Sequence, residues 1–101
     1  MLRSDLIDRL IQRNPHLSSA TVDQAVKMLL EHMTETLMAD GRIEIRGFGS
    51  FNVRKRPARL ARNPKTGESV TVGEHGWVHF KPGLELRDRI HTAFLSSLAG
   101  D

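Results

Sequence analysis

Hydrophobic spacing changes along the chain, and each change predicts an element. Leu6, Ile7, Leu10 and Ile11 share one side of a helix predicted over residues 4–13, with Ser4 as its expected N-cap. Asn14-Pro15 ends it, because the residue before a proline is pushed out of the α region. Ser18 or Ser19 opens a longer helix reaching about Ala39. At about 100° per residue, Val22, Ala25, Val26, Leu29, Leu30, Met33 and Leu37 fall within an arc of about 140°. Met28 and Met38 lie outside that arc, so this helix carries a second apolar strip and implies burial on two sides.

After Asp40-Gly41 the period drops to two. Arg42-Ile43-Glu44-Ile45-Arg46 alternates strictly, which predicts a strand with one buried face. Gly47-Phe48-Gly49 makes a hairpin-type connection to a strand that opens with Phe51 and Val53. Val70, Val72, Val78 and Phe80 alternate on the way back, interrupted from Gly73 to Gly76 as a bulge would interrupt them. Between the two runs, Arg62-Asn63-Pro64-Lys65-Thr66-Gly67 has turn composition. The pattern predicts a long two-stranded ribbon, out along 53–62 and back along 68–80, with Pro64 near its tip. Lys81-Pro82-Gly83 leads into a last helix with Leu86, Ile90, Ala93 and Phe94 on one face and a Glu85–Arg89 pair one turn apart. The tail from Ser96 is expected to fray.

The predicted class is α+β in a single domain. Two helices precede a three-stranded antiparallel sheet that extends into the ribbon, and a third helix closes the chain. Residues 1–52 and 81–101 form the body and 53–80 the arm. With the arm in solvent, about 70 residues remain, a size that buries only about 60% of its unfolded surface and is marginal alone. An intertwined dimer would complete the core.

Composition narrows the function. There is no cysteine, hence no disulfide framework or thiolate metal site. No apolar run approaches the ~20 residues of a membrane helix, and the start lacks a signal-peptide core. A cytoplasmic, nucleoid-associated protein is the expectation. The net charge of +3 is unevenly spread: residues 1–41 carry −2, residues 42–68 carry +6 and residues 69–101 carry −1. A near-neutral body with one cationic segment suits a polyanion, and within 54–62 alone there are five cations. The alternative for such a run is a merely solvated face.

The cations favour nucleic acid. Arg54, Arg56, Arg59 and Arg62 outnumber Lys55 and Lys65. The guanidinium fork gives bidentate bonds and sheds water readily, which suits phosphates and groove acceptors. A ribbon can follow a groove, and a rigid ring at its tip can wedge between base pairs. Pro64 alone would be a turn former; among these cations it is read as the wedge.

Arg42-Ile43-Glu44-Ile45-Arg46-Gly47-Phe48-Gly49-Ser50-Phe51, then Arg59, then Arg62-Asn63-Pro64-Lys65-Thr66-Gly67, resembles the signature of the bacterial histone-like HU and integration host factor family. His79-Phe80-Lys81-Pro82-Gly83 and Glu85-Leu86-Arg87-Asp88-Arg89 are closer to its integration host factor branch than to HU. The resemblance covers about residues 1–92. Minor-groove bending by wedged side chains is that family's known mode. The resemblance implies a dimer whose two arms wrap double-stranded DNA, with Pro64 intercalating and Arg59, Arg62, Asn63 and Lys65 flanking it. Arg46, Arg54 and Arg56 would reach backbone or groove edge near the arm base, with Lys81 and Pro82 where the returning strand meets the body; Arg42 and Lys55 are counted among the DNA-binding residues as well. Arg3 and Ser4, at a helix N-terminus, could bind a phosphate. Glu44 would position Arg42 or Arg46. The partner chain would be a related alpha subunit or a second copy, in assemblies for recombination, transcription and replication. No cofactor, metal, membrane or small-molecule substrate is expected.

Leu60 and Ala61 depart from the family pattern, as does the length of the tail past Thr92. Trp77 has two readings, bracing the arm or stacking on DNA, and bracing is preferred. An enzyme is disfavoured: there is no nucleophile elbow, no dinucleotide fingerprint, and His16, His32, His75, His79 and His91 are scattered. An interaction module for an acidic protein partner is the other rival, and it would not kink a duplex.

Overall fold

The computed structural model describes residues 1–100. The chain runs α1 (Arg3–Arg13), α2 (Ser19–Met38), β1 (Ile43–Ile45), β2 (Gly49–Arg56), β3 (Arg59–Arg62), β4 (Ser69–Val72), β5 (His75–Pro82) and α3 (Leu84–Ala99). This is the α+β order that the periodicity implies. Among the described residues, no helix is long and apolar enough to cross a membrane.

The helix ends follow local chemistry. Ser18 caps α2, its Oγ accepting from the Thr21 N–H at 3.1 Å. Asn14 closes α1 by donating its Nδ2–H to the Leu10 carbonyl at 2.9 Å. The start of α1 differs from expectation. Its N-cap is Leu2, and Ser4 lies inside the first turn. The Asp5 carboxylate, at the third helical position, reaches back to accept from the Leu2 N–H at 2.7 Å, which fixes the chain entry but leaves the donors that a serine cap would bind without a side-chain acceptor. Helix α2 ends in two backbone bonds, Asp40 N–H to Leu37 O at 3.0 Å and Gly41 N–H to Thr36 O at 2.8 Å. That closure usually places glycine where Asp40 stands, at φ +62°.

Two corrections concern α3. It continues to Ala99, with the Gly100 N–H on the Ser96 carbonyl at 2.9 Å, so the segment through Ala99 is helical rather than frayed. No glycine or proline interrupts residues 84–99, and leucine and alanine dominate the last turns. Asp101 lies outside the described residues. The Glu85–Arg89 pair does not form. Glu85 approaches Gly47 instead, so closely that a Cβ there would sit 3.1 Å from Glu85 Oε2. Gly47 has φ +81°, a conformation and a space that both favour glycine.

Strands β1, β2 and β5 form an antiparallel sheet in the order β1-β2-β5, and β3 and β4 form a separate two-stranded ribbon. The register pairs Phe51 with Phe80, Val53 with Val78, Arg54 with Trp77 and Arg56 with His75. Residues on alternate positions point to opposite faces. One face therefore carries Ile43, Phe51, Val53, Val78 and Phe80, and the other Glu44, Ser50, Arg54, Arg56, Trp77 and Lys81. The ribbon is not continuous. Both strands break at one level, at Pro57-Ala58 and Gly73-Glu74. Proline lacks the N–H that a ladder needs, and glycine has no side chain to pack across from it. The interruption expected through Gly76 is shorter, since Gly76 pairs with Lys55.

The apolar sheet face packs Phe80 between Phe48 and Phe51, with ring centroids 5.4 and 4.7 Å away. Gly49 makes this possible: a Cβ there would sit 2.7 Å from the Phe80 ring and 2.6 Å from the Lys81 carbonyl oxygen. Yet the core is thin. Among the described residues, the only buried hydrophobic side chains are Val22 and Val26, at 5% and 6% exposure, joined by the backbone of Gly49, while Met28, Leu29, Met38, Ile90, Phe94 and Leu98 are exposed. The chain exposes 8727 Å², against about 5,800 Å² for a compact monomer of its mass. The excess comes partly from the arm and partly from apolar helix faces that need a covering chain.

Two outcomes follow. The thermal midpoint should rise with protein concentration, by mass action between chains; a midpoint constant over a hundredfold dilution series would show that the single chain is self-sufficient. Gly49→Ala should destabilise by about 1–3 kcal/mol or more through overpacking against Phe80 and the β5 backbone, read as a lowered urea midpoint at unchanged slope.

Candidate nucleic-acid interface

Strand parity builds the site. Arg42, Glu44 and Arg46 are the even positions around β1, and register carries the same face through Ser50, Arg54 and Arg56 of β2 and His75, Trp77, His79 and Lys81 of β5. The body thus presents a polar, cationic sheet surface on the side opposite its apolar face. Where this surface meets the start of α3, a cleft of about 350 Å³ is lined by Arg42, Glu44, Arg46, Ser50, Lys81 and Arg87, among others. Gly83, the N-cap of α3, supplies no side chain to its first turn. The free N–H groups of that turn add to the positive field. In the sequence Arg87 stood only within the motif Glu85-Leu86-Arg87-Asp88-Arg89, with no DNA-contact role assigned to it. Its signal was its place one turn into a helix that starts beside Lys81.

The electrostatics are those of exposed groups. Among the described residues, ion pairs form at Arg42–Glu44, 3.9 Å, and at Lys55–Asp40, 3.0 Å. Glu44 therefore sits with Arg42 rather than Arg46, at the limit of ion-pair distance. Arg46, Arg54, Arg56, Arg59, Arg62, Lys65 and Lys81 form no ion pair among the described residues, and all are exposed. Their charge is directed to solvent and is available to a polyanion.

Lys55 belongs elsewhere. Its odd position puts it on the apolar side of the ribbon with Val53, where its ammonium meets the Asp40 carboxylate. Both partners are more than half exposed, so the pair orients the Lys55 side chain and adds little stability. Pro82 pairs with Gly49 at the end of β5, and it shapes the exit into α3. At the α1 N-terminus Arg3 is exposed, but the Asp5 carboxylate occupies the Leu2 N–H and opposes a phosphate there.

The distal ribbon carries the remaining cations. Arg59 pairs with Val72, Leu60 with Thr71, Ala61 with Val70 and Arg62 with Ser69. Arg59 and Arg62 consequently lie on opposite faces, and Leu60 shares the face of Arg62 with 75% of its surface exposed. The tip is a closed turn. Asn63 N–H donates to the Glu68 carbonyl at 2.8 Å, Gly67 N–H to the Asn63 carbonyl at 2.7 Å, and Lys65 N–H to Asn63 Oδ1 at 2.9 Å. Gly67, at φ +74°, permits the reversal. Asn63 thus uses its side chain to shape the turn, and Pro64 is left exposed at the apex beside Lys65.

Known proteins are similar to this chain in sequence and in fold. A family model described as bacterial DNA-binding protein matches residues 1–91. The chain is 53% identical over 93 residues to integration host factor subunit beta of Halorhodospira halophila, covering 92% of this chain and 91% of that protein. It is 57% identical over 90 residues to the subunit beta of Stenotrophomonas maltophilia, covering 89% of each. Among solved structures, an Anabaena HU–DNA cocrystal structure superposes with a TM-score of 0.74 at 28% identity, covering 89% of this chain and 97% of that one. A mutant of HU from Thermotoga maritima gives 0.64 at 28% identity, covering 89% and 99%. The chain belongs to the bacterial DNA-binding protein family, within which it is similar to integration host factor beta subunits.

Proposed function

We propose that the chain is one half of a dimer that grips the minor groove of double-stranded DNA with two arms and bends it by inserting Pro64 between base pairs. The observation that carries this reading is the pairing of two features: a cationic sheet face with Arg42, Arg46, Arg54 and Arg56 at the arm base and, beyond the break in the ribbon, a closed turn with an exposed proline at its apex. A proline ring at a turn locked by three hydrogen bonds is a stiff wedge, and the flanking Arg62 and Lys65 hold it against the backbone. One arm alone would lever a duplex from one side only. The thin core and the exposed apolar helix faces supply the reason for two.

The partner is a related subunit more readily than a second copy. Identity to beta subunits, the half-names of a two-chain assembly, runs to 57%, against 28% to the HU chains. An HU-like homodimer with little sequence preference is the second reading. Minor-groove hydrogen bonding mainly separates A·T from G·C, so site preference would come from the sequence-dependent cost of bending. The role is architectural rather than catalytic: a bent duplex brings together the parts of recombination, transcription and replication complexes.

End-to-end energy transfer on a short labelled duplex tests the wedge. Pro64→Ala should remove most of the kink, about 20–90° at a wedged step, while affinity falls by less than about tenfold. An unchanged bend would overturn the wedge role. Parity gives a second test. Arg54→Ala should weaken binding about tenfold and lower the slope of log affinity against log salt by about one. Lys55→Ala should cost less than about threefold, because its exposed pair with Asp40 contributes little and points away from DNA. Equal losses in a band-shift titration would show that both strand faces touch the duplex.

A further inference from the structure

Trp77 is the only tryptophan in the chain, and it sits where a polar residue would be expected. It lies on the cationic sheet face, paired in register with Arg54, between the positions of His75 and His79. The Arg56 guanidinium carbon is 5.3 Å from the centre of its ring, and the His75 ring is 5.8 Å away at 37°. The indole remains 38% exposed. Trp77 also borders the groove beside Leu37 and Met38. Its ring nevertheless packs with Arg56 and His75, both on the face turned away from α2. A brace against the body would use the other face, where Val53, Lys55 and Val78 stand.

We propose that Trp77 is a DNA contact at the base of the arm, its indole covering the deoxyribose faces of one strand at the minor-groove edge. The proposal rests on the DNA-bending reading above. An indole among arginines on a surface facing a duplex has two candidate apolar surfaces, base faces and sugars. Base faces open only where pairs unstack, and the unstacking wedge is Pro64. Seven residue steps along the ribbon separate Arg56 from Asn63, on the order of 20 Å at strand rise. At Trp77 the duplex is stacked, and the apolar surface on offer is the sugar edge. Arg56 lies over the ring by cation–π attraction, which leaves the donors at the edge of its fork directed outward to an adjacent phosphate. Trp77 and Arg56 thus act as a pair, the ring on sugar and the fork on phosphate.

The test uses the assembled protein with 5-fluorotryptophan built into this chain alone, so that a single fluorine signal reports on one side chain. Its solvent isotope shift between light and heavy water measures exposure, and a band shift on the same samples measures binding. On saturation with a duplex, the isotope shift should fall by more than half. Trp77→Ala should lose about fivefold in affinity with the salt slope unchanged, since covering a sugar releases no counterion, and Trp77→Phe should recover most of it. Bound duplex, bent as in the parent, with an undiminished isotope shift would overturn the Trp77 contact and leave the DNA reading intact. A Trp77→Ala protein that bends less while exposure at Trp77 stays constant on binding would make it a brace, and overturn the contact. Failure to shift any duplex would remove the DNA reading and this contact together.

Discussion

Everything in this chain depends on the pairing register of β2 with β5. Successive residues face opposite ways, so one registration places Phe51, Val53, Val78 and Phe80 toward α2 and Arg54, Arg56 and Lys81 toward solvent. A slip of one residue would turn the Arg54 and Arg56 guanidinium groups of β2, or the Lys81 ammonium of β5, into the apolar layer, where unpaired charge is costly to bury. The register is held at its closed end, where the Gly83 N–H reaches the Phe48 carbonyl at 2.9 Å and the Phe80 ring fills the space left by Gly49. A packing fit between one aromatic and one glycine thus decides the sign of the charge that the opposite face presents.

The same arrangement explains why so little of the molecule is buried. A sheet that reserves one face for a polyanion has only one face left for a core, and α2 covers part of it. The exposed side of α2, with Met28 and Leu29, and the exposed side of α3, with Ile90, Phe94 and Leu98, are unmet needs of the single chain. Folding and clamp formation are therefore coupled: the second chain that completes the core is the one that brings the second arm.

Much of this was legible in the sequence because it rests on periodicity. The shift from helical to alternating spacing marked both long helices and the strands, and Asn63-Pro64-Lys65-Thr66-Gly67 announced its turn. Charge density marked the arm but could not separate Lys55 from its neighbours Arg54 and Arg56. The parity that separates them was present in Phe51, Val53 and Lys55, each two residues from the last. Other features were not readable. The Leu2 N-cap arises from a side chain three residues later, and Asp40 reaches Lys55 across fifteen residues. Helical continuation to Ala99 was readable from the absence of any breaker, against the general habit of chain ends to fray.

The paired gaps at Pro57-Ala58 and Gly73-Glu74 divide each arm into a base that belongs to the body sheet and a distal hairpin of four residue pairs. A hairpin of that size is marginal on its own in water. The arm is thus built like a finger with one joint: the body sheet aims its base, and the gap is the level at which no ladder bond resists bending. Such a joint sets a trade. Any orientational freedom at it would have to be given up on contact and would oppose binding by an amount that grows with temperature, whereas a stiffer joint would exchange reach across differently curved duplexes for tighter hold on one.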